Sequence, residues 1–327
     1  MALSKLHVVT ALFNPWRYKS RKILYDAFRT YTRYIGHCHL YAGELAFGKR
    51  PFELTTAHDH VTDDGETIEF QWRTTCELWH KERMLNRLIQ ELPNDWEYVA
   101  WVDADLQFTR PDWALETVHM LQHYPVVQLF SHSQNLGPKY EVLKDKPPRH
   151  GFVYAWRHGL HPAENDPDAN NDYYYGAFQF GHPGFAWAIR RDQYEKLGGL
   201  LDFSILGSGD YHMALAFIGK LEERINMTNI SDGYRRQLMA WATRAKKYIN
   251  CNIGYVDGLV NHYWHGNRID RRYSDRWQIL VNNSYDPVED LKYDANGMWQ
   301  WTDRCPQLAY DCRSYMAGRH EDSIDIF

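Results

Sequence analysis

The residues best suited to chemistry are two acids, Asp103 and Asp105, separated by a single alanine. They follow the uninterrupted apolar run Tyr98–Val102, which is typical of a strand buried on both faces of a parallel sheet. Ligands of open α/β sheets bind beyond the carboxyl ends of the strands. Two carboxylates at that edge can share a divalent cation, which in turn neutralises phosphate oxygens. Asp-x-Asp is also common in ordinary turns, but its place directly after a buried strand favours a ligand site.

A further acid, Asp210, ends the segment Gly207-Ser208-Gly209-Asp210. Glycines allow a backbone to approach a ligand closely, and a carboxylate there can take a proton from an attacking hydroxyl. The alternative is that Asp210 caps a helix predicted from Tyr211 to Ile218. Both interpretations stay open, because a capping carboxylate keeps a second oxygen.

The elements that must position these acids alternate between strand and helix in the first half of the chain. The capping pattern Thr74-x-x-Glu77 predicts the start of a helix whose apolar face includes Leu85 and Leu92. The alternation predicts a doubly wound, mixed or parallel α/β sheet flanked by helices. The other predicted elements of this half are strands Leu6–Leu12, His37–Phe47 and Val126–Phe130 and helices Tyr18–Tyr34 and Pro111–His123.

The second half is less regular. Residues 132–184 are rich in Pro, Gly, Asn and Asp, which predicts a long functional loop or an insertion. Few helical signals follow residue 266, except near Tyr273–Val281. The remaining predictions are strands Phe185–Arg190 and Ile253–Val260, a short helix that ends at Gly198, and a basic helix Gly233–Ile249.

Composition excludes several classes of protein. The 327 residues are 44% apolar and 24% charged, which excludes a disordered or fibrous chain. The net charge of −5 does not favour a nucleic-acid binder, and no apolar run is long enough for a membrane helix. The five cysteines form no C-x-x-C pair, which argues against disulfides and a cysteine zinc site. We therefore expect a cytoplasmic protein. Glycine-rich phosphate loops and a G-x-S-x-G elbow are also absent.

Together with the D-x-D sequence, three segments resemble the GT-A family of nucleotide-sugar-dependent glycosyltransferases. Residues 8–14 are similar to the family's first strand and the turn beneath the nucleobase, and residues 81–86 to the helix before the D-x-D strand. Residues 207–210 resemble the glycine-plus-acid motif near the acceptor site, which ends in a catalytic acid in several inverting members. The resemblance implies a GT-A-like domain over residues 1–266 and a C-terminal arm, 267–327, that closes over the donor site.

The resemblance also implies the roles of individual residues. Asp103, Asp105 and a histidine after a late strand would hold Mn²⁺ or Mg²⁺; His265 is the preferred ligand because Gly266 frees the backbone beside it, and His262 is the alternative. Asp210 would be the general base of an inverting transfer. Arg271, Arg272 and Arg276 can present cations to a diphosphate. The residues implied in donor binding are Ala11, Phe13, Asn14, Arg17, Lys81, Asn86, Asp103 and Arg268.

The implied reaction moves a sugar from a nucleotide diphosphate sugar to an acceptor hydroxyl. The acceptor stays open between a glycan, a lipid-linked sugar and a hydroxymethylated base of DNA, as modified by certain phage enzymes. Two other functions also stay open. A metal-dependent nucleotidyltransferase or hydrolase could use the same D-x-D, and a non-catalytic sugar-binding module could use the many aromatic residues.

Overall fold

The computed structural model describes residues 5–54, 67–143, 146–160, 181–226, 228–267 and 269–324. A seven-stranded sheet forms its centre, a four-stranded sheet lies beside the candidate site, and a two-stranded hairpin lies near the C-terminus. The strands are β1 Leu6–Phe13, β2 Cys38–Phe47, β3 Thr67–Thr74, β4 Tyr98–Val102, β5 Leu106–Phe108, β6 Val126–Gln128, β7 His132–Asn135, β8 Arg149–His150, β9 Ala186–Arg190, β10 Ile253–Tyr255, β11 Leu259–His262, β12 Leu291–Tyr293 and β13 Trp299–Trp301.

The central sheet is mostly parallel and is flanked by helices, which confirms the predicted α/β class. Its strand order is β10-β6-β9-β4-β1-β2-β3, and β9 is antiparallel to both β4 and β6. Strands β1 and β4 are parallel neighbours, with His7 opposite Val99. The carboxyl ends of β1 and β4 therefore lie at the same edge of the sheet, and Asp103 begins where β4 ends.

Helices connect many of these strands. The helix Asp232–Tyr248 has a serine cap, because Ser231 Oγ accepts a hydrogen bond of 3.1 Å from the Tyr234 N–H. The helix Arg191–Leu197 ends at the left-handed Gly198. The helices are α1 Lys19–Ile35, α2 Lys81–Gln90, α3 Trp113–His123, α4 Phe152–Arg157, α5 Arg191–Leu197, α6 Gly209–Phe217, α7 Leu221–Asn226, α8 Asp232–Tyr248, α9 Tyr273–Asn282, α10 Pro287–Asp290 and α11 Pro306–Ala317.

Two predicted elements are wrong. The capping pattern at Thr74 does not open a helix: Thr74 pairs with Phe47 as the last residue of β3, and α2 begins at Lys81 after the cap residue His80. The predicted strand Ile253–Val260 is two strands, because β10 joins the central sheet and β11 joins the four-stranded sheet. The second correction matters for the site, since β11 ends at His262.

The long loop predicted over residues 132–184 contains regular structure in its described part. Strands β7 and β8 pair with each other, and β7 also pairs with β11, with His262 opposite Asn135. Residues 144–145 and 161–180 of this segment lie outside the described residues. Pairing of β11 with β5 and β7 thus fixes the position of His262 at the end of β11.

Apolar side chains pack on both faces of the central sheet. In β1, Val8 belongs to the cluster on one face and Val9 to the larger cluster on the other, as alternation along a strand requires. The larger cluster also includes Tyr285 and Met316, so the C-terminal residues share the main core. None of the described helices combines the length and the apolar character needed to cross a membrane.

Candidate functional site

A cavity of about 210 Å³ opens at the carboxyl ends of β1 and β4. Residues 10–13 of β1 and residues 103–105 after β4 line one side of it. Gly207, Ser208 and Asp210 from the start of α6 line another side, and His262 and His265 complete the wall. The cavity therefore unites the two acids, the glycine–acid segment and the histidines, which are far apart in the sequence.

Asp105, His262 and His265 form a cluster in the wall of this cavity. The ligand atoms that the three side chains offer all lie within 4.8 Å of one another. His265 Nε2 lies 3.1 Å from Asp105 Oδ2 and 3.1 Å from His262 Nε2, and His262 Nε2 lies 3.7 Å from Asp105 Oδ2. Both imidazoles thus point their Nε2 atoms at one carboxylate oxygen.

The hydrogen-bond partners of the histidines assign their tautomers. His262 Nδ1 lies 2.9 Å from Asn135 Oδ1, which can only accept, so the proton of a neutral His262 sits on Nδ1. Arg271 Nη2, which can only donate, lies 3.1 Å from His265 Nε2 and 3.4 Å from its Nδ1. The shorter contact assigns a lone pair to His265 Nε2. The Nε2 atoms of both histidines and Asp105 Oδ2 therefore converge as acceptors, and Arg271 donates to one of them.

The pKa shifts of His265 and Asp105 also suit a metal. Burial lowers the pKa of His265 well below its usual value, and the neighbouring Arg271 lowers it further. Burial alone would raise the pKa of Asp105, but the two histidines outweigh it and hold that pKa well below its usual range. A neutral imidazole and an ionised carboxylate are the forms that bind metal ions.

One oxygen of the cluster is otherwise unused. Asp105 Oδ1 is buried and has no hydrogen-bond partner among the described residues, although buried polar atoms are normally paired. The three residues therefore fit a divalent cation, and their mixed nitrogen and oxygen donors favour Mn²⁺ over Mg²⁺, which prefers oxygen ligands. Arg271 would have to leave His265 Nε2 for that nitrogen to bind a metal.

Asp103 has a different partner. Its carboxylate forms an ion pair with the Nζ of Lys81, the first residue of α2. Burial would lower the pKa of Lys81, but the carboxylates of Asp103, Glu82 and Asp210 outweigh it and raise the pKa above its usual value. Lys81 is therefore a cation beside the cavity, and Asp103 does not belong to the group of three ligand-bearing side chains.

Asp210 lies in the first turn of α6 and is not its cap. The cap position belongs to Ser208, which has a left-handed φ of +75°, so the helix-cap interpretation of Asp210 is wrong. Asp210 Oδ1 accepts the N–H of Tyr211 at 2.8 Å, and Oδ2 lies so close to Gly184 that a Cβ there would overlap it. The carboxylate is thus closely fitted into the cavity wall.

The other implied donor residues divide between the cavity and elsewhere. Ala11 and Phe13 line the main cavity, but Asn14 and Arg17 line a separate small depression. The Asn14 amide donates to the carbonyl of Tyr18 at 3.0 Å, and it accepts the Tyr18 N–H at 2.9 Å. Asn14 therefore shapes the entry to α1. Arg268 lies outside the described residues.

Asn86 is buried away from the cavity and its hydrogen-bonding capacity is used. Its amide nitrogen donates to the carbonyl of Leu200 and to Asp202, both at 3.0 Å. Its oxygen accepts the Leu200 N–H at 2.9 Å and the Tyr194 hydroxyl at 3.0 Å. Two donors and two acceptor positions are all that an amide side chain offers, so Asn86 joins α2 to the segment after α5.

Glu82 lines the cavity although no motif in the sequence indicates it. It is 6% exposed, accepts a hydrogen bond of 3.1 Å from Trp79 Nε1, and lies against Gly209. Burial, with a contribution from Asp210, raises its pKa to about 7. One signal was present, since Glu82 precedes Leu85 by three residues and so lies on the apolar face of the helix.

Arg276, one of the cations named from the sequence, is fixed at the same edge of the cavity. Its Nη2 donates to Ser208 Oγ at 2.8 Å and its Nη1 to the carbonyl of Leu206 at 3.3 Å. These bonds hold the guanidinium over the segment that leads into Asp210. Arg271 also lines the cavity, whereas Arg272 is not among its lining residues.

Comparisons with known proteins give distant structural similarity alone. No protein-family model matches the chain, and no curated protein matches it. A Drosophila β1,4-galactosyltransferase 7 mutant, solved with manganese, UDP-Gal and xylobiose, is 12% identical with a TM-score of 0.32, and the match covers 64% of this chain and 60% of that one. A putative nucleotide-diphospho-sugar transferase from Desulfovibrio desulfuricans is 10% identical with a TM-score of 0.36, over 98% and 100% of the two chains.

A third solved structure names a different reaction. It is a 4-diphosphocytidyl-2C-methyl-D-erythritol synthase from Anaerococcus prevotii, 9% identical with a TM-score of 0.36, and the match covers 96% of both chains. The first two neighbours are named as sugar transferases. At these identities and scores the neighbours do not indicate the function of this chain, and the geometry of its site does.

Proposed function

We propose that this chain is a metal-dependent glycosyltransferase that moves a sugar from a nucleotide diphosphate sugar to an acceptor hydroxyl. The observation that carries the proposal is the set of side chains that line one cavity. This cavity is lined by the cluster of Asp105, His262 and His265, by the Lys81–Asp103 ion pair, and by the carboxylate of Asp210. The first two groups suit a diphosphate, and the third suits proton transfer.

The donor's nucleoside fits the β1 side of the cavity. Phe13 and Trp79 line this side, and their rings meet edge to face with centroids 5.3 Å apart. Aromatic side chains supply apolar area and defined ring contacts for a flat base. The backbone of residues 10–12 continues the same wall, at the edge of the sheet where α/β proteins bind nucleotides.

The diphosphate fits between the metal cluster and the cations. Lys81, Arg271 and Arg276 all line the cavity, and guanidinium groups match phosphate oxygens in charge and geometry. A divalent cation at Asp105, His262 and His265 would act as a Lewis acid that neutralises charge on the phosphates. The Lys81–Asp103 pair keeps the lysine oriented at the end of β4.

The chemical step is a direct displacement. The acceptor oxygen forms a bond to the anomeric carbon while the bond from that carbon to the phosphate oxygen breaks, and the nucleoside diphosphate leaves with the bonding electrons. Asp210 takes the proton of the acceptor hydroxyl, a contribution of about 10²–10⁴-fold in rate. Attack opposite the leaving group inverts the anomeric configuration. Lys81 and Arg276 stabilise the charge that develops on the leaving group.

The acceptor belongs on the Asp210 side, where Tyr211 and Trp277 also line the cavity. Aromatic faces of this kind suit a sugar ring or a base, so a glycan, a lipid-linked sugar and a hydroxymethylated DNA base are the three acceptor classes to compare. The division into a domain of residues 1–266 and a closing arm of residues 267–327 stays a prediction.

A binding screen tests the proposal. The melting temperature of the full chain would be measured with nucleoside diphosphates and their sugars, each with Mn²⁺, Mg²⁺, Fe²⁺, Zn²⁺ or EDTA. Fe²⁺ belongs in the panel because two histidines and one carboxylate also form its ligand set in some enzymes. We expect a nucleotide diphosphate to stabilise the protein with Mn²⁺ and not with EDTA. Equal stabilisation in EDTA would contradict the metal role.

A further inference from the structure

The C-terminal residues 319–323 pack against the loop that carries His265. Trp264 Nε1 donates to the carbonyl of Ser323 at 2.7 Å. Gly266 has a left-handed φ of +90°, and a Cβ on it would lie 2.7 Å from the Cα of Glu321. A side chain at position 266 would therefore displace the segment. These contacts fix the C-terminal segment next to the metal cluster.

Glu321 is buried in this segment, at 1% exposure, and two arginines orient its carboxylate. Arg21 donates from Nη2 to Oε1 at 2.6 Å and from Nε to Oε2, and Arg319 Nε donates to Oε1 at 2.6 Å. Oε2 lies 3.9 Å from His265 Nδ1. The carboxylate is thus held on the side of the imidazole opposite Asp105.

We propose that Glu321 is a positioning residue for His265, and this rests on the proposed metal site. A carboxylate beside Nδ1 stabilises the tautomer that carries its proton there, which leaves the Nε2 lone pair directed at Asp105. Metal-binding histidines commonly donate their second ring N–H to a carboxylate. At 3.9 Å, Glu321 acts on His265 Nδ1 through its charge and not through a direct hydrogen bond, whereas an oxygen of Asn135 lies within hydrogen-bond distance of His262 Nδ1, at 2.9 Å.

The proposal makes the C-terminal segment part of the site. Neither Arg21, on α1, nor Glu321 belongs to the strands or loops that supply the three ligand side chains. The next residue, Asp322, has a separate role, because its two oxygens accept the N–H groups of Lys19 and Ser20, both at 2.9 Å. Asp322 is therefore a matched control, since it is an acid in the same segment that serves the start of α1.

Mn²⁺ titration calorimetry on the full chain tests the proposal. Glu321→Gln keeps the shape and one acceptor oxygen for the arginines but removes the charge beside Nδ1. We expect Mn²⁺ affinity to fall by about 10–100-fold, whereas Asp322→Asn should leave it unchanged. Unchanged affinity in Glu321→Gln would overturn the role of Glu321 alone. A parent protein that binds no Mn²⁺ would overturn the metal site and this proposal together.

The tautomer itself gives a second measurement that needs no variant to fold. Long-range ¹H–¹⁵N spectra of the imidazole rings in the metal-free parent should show His265 protonated on Nδ1 and bare on Nε2. In a folded Glu321→Gln variant, the signal should move towards the Nε2-protonated form. If His265 carries its proton on Nε2 in the parent, the proposal is overturned whatever the variant does.

Discussion

The two acids of the D-x-D sequence are two residues apart but have different surroundings. Asp103 pairs with Lys81, so its charge is balanced by the protein. Asp105 faces the Nε2 atoms of His262 and His265, and its Oδ1 has no hydrogen-bond partner among the described residues. The Asp105 side therefore offers converging acceptors to an added cation, whereas the Asp103 carboxylate is already paired. Acids that look equivalent in a motif can have separate roles because their neighbours come from distant segments.

The largest expected effect separates Asp105 from Asp103. Asp105→Ala removes a cluster ligand, so we expect complete loss of the Mn²⁺-dependent rise in melting temperature with a nucleoside diphosphate. Asp103→Ala should bind Mn²⁺ but weaken the nucleotide, because Lys81 loses its partner and its position. Asp112→Ala, which changes an exposed acid that pairs with Arg110, is the control. Equal Mn²⁺ affinity in Asp105→Ala and the parent would show that Asp105 is not a metal ligand.

Asp210→Asn should have the next largest effect. The amide is nearly isosteric and its oxygen can still accept the Tyr211 N–H, so the fold and donor affinity should be retained. The transfer rate should fall by about 10²–10⁴-fold, because the base is lost. Rate and melting temperature would be measured on the same sample. A fully active variant would show that the base lies elsewhere.

Gly184→Ala should have a smaller effect through the same carboxylate. The new Cβ would overlap Asp210 Oδ2 and rotate the base out of place, so we expect about 10–100-fold slower transfer. In Gly184→Ala combined with Asp210→Asn, the two losses should not add, since both act on one group. If the double variant lost the product of the two single-variant rate factors in single-turnover experiments, the two changes would not act through the same carboxylate.

Glu82→Gln should act through stability and its dependence on pH. Burial raises the pKa of Glu82 from 4.5 to about 7, so between these values the folded state holds a proton that the unfolded chain has lost. The free energy of unfolding of the parent therefore falls as pH rises through this range, by about 3 kcal/mol if the whole difference is realised. The glutamine variant lacks this loss. Urea unfolding of parent and variant at about pH 4 and about pH 8 would measure this difference. The same change in unfolding free energy with pH in both proteins would contradict the prediction.

Much of the fold could be predicted because its signals are local. The apolar run before Asp103 predicts a buried strand, and the structure has β4 at Tyr98–Val102. The reversed direction of β9 could not be predicted, because a buried strand has the same apolar pattern in either direction. Thr74-x-x-Glu77 satisfied a helix-cap pattern, but strand pairing between Thr74 and Phe47 prevailed.

The metal site was predicted in part, from the family resemblance. That resemblance named Asp103, Asp105 and His265, with His262 as the alternative histidine, and the structure brings Asp105 together with both histidines, while Asp103 pairs with Lys81. Glu321 had no local signal, since its partners Arg21 and His265 lie some 300 and 56 residues away in the chain. Asn14 and Asn86 are polar residues near the right elements, but local hydrogen bonds hold them. Sequence spacing does not reveal which amides are already satisfied.

The identity of the bond that breaks distinguishes sugar transfer from cleavage within the diphosphate. The parent protein would be incubated with nucleotide diphosphate sugars and Mn²⁺, with and without acceptors, and the products separated by chromatography. The account predicts a free sugar or glycosylated acceptor together with an intact nucleoside diphosphate, formed only when Mn²⁺ is present and slowly by Asp210→Asn. Release of a nucleoside monophosphate with a sugar phosphate would contradict it, because the broken bond would then lie within the diphosphate.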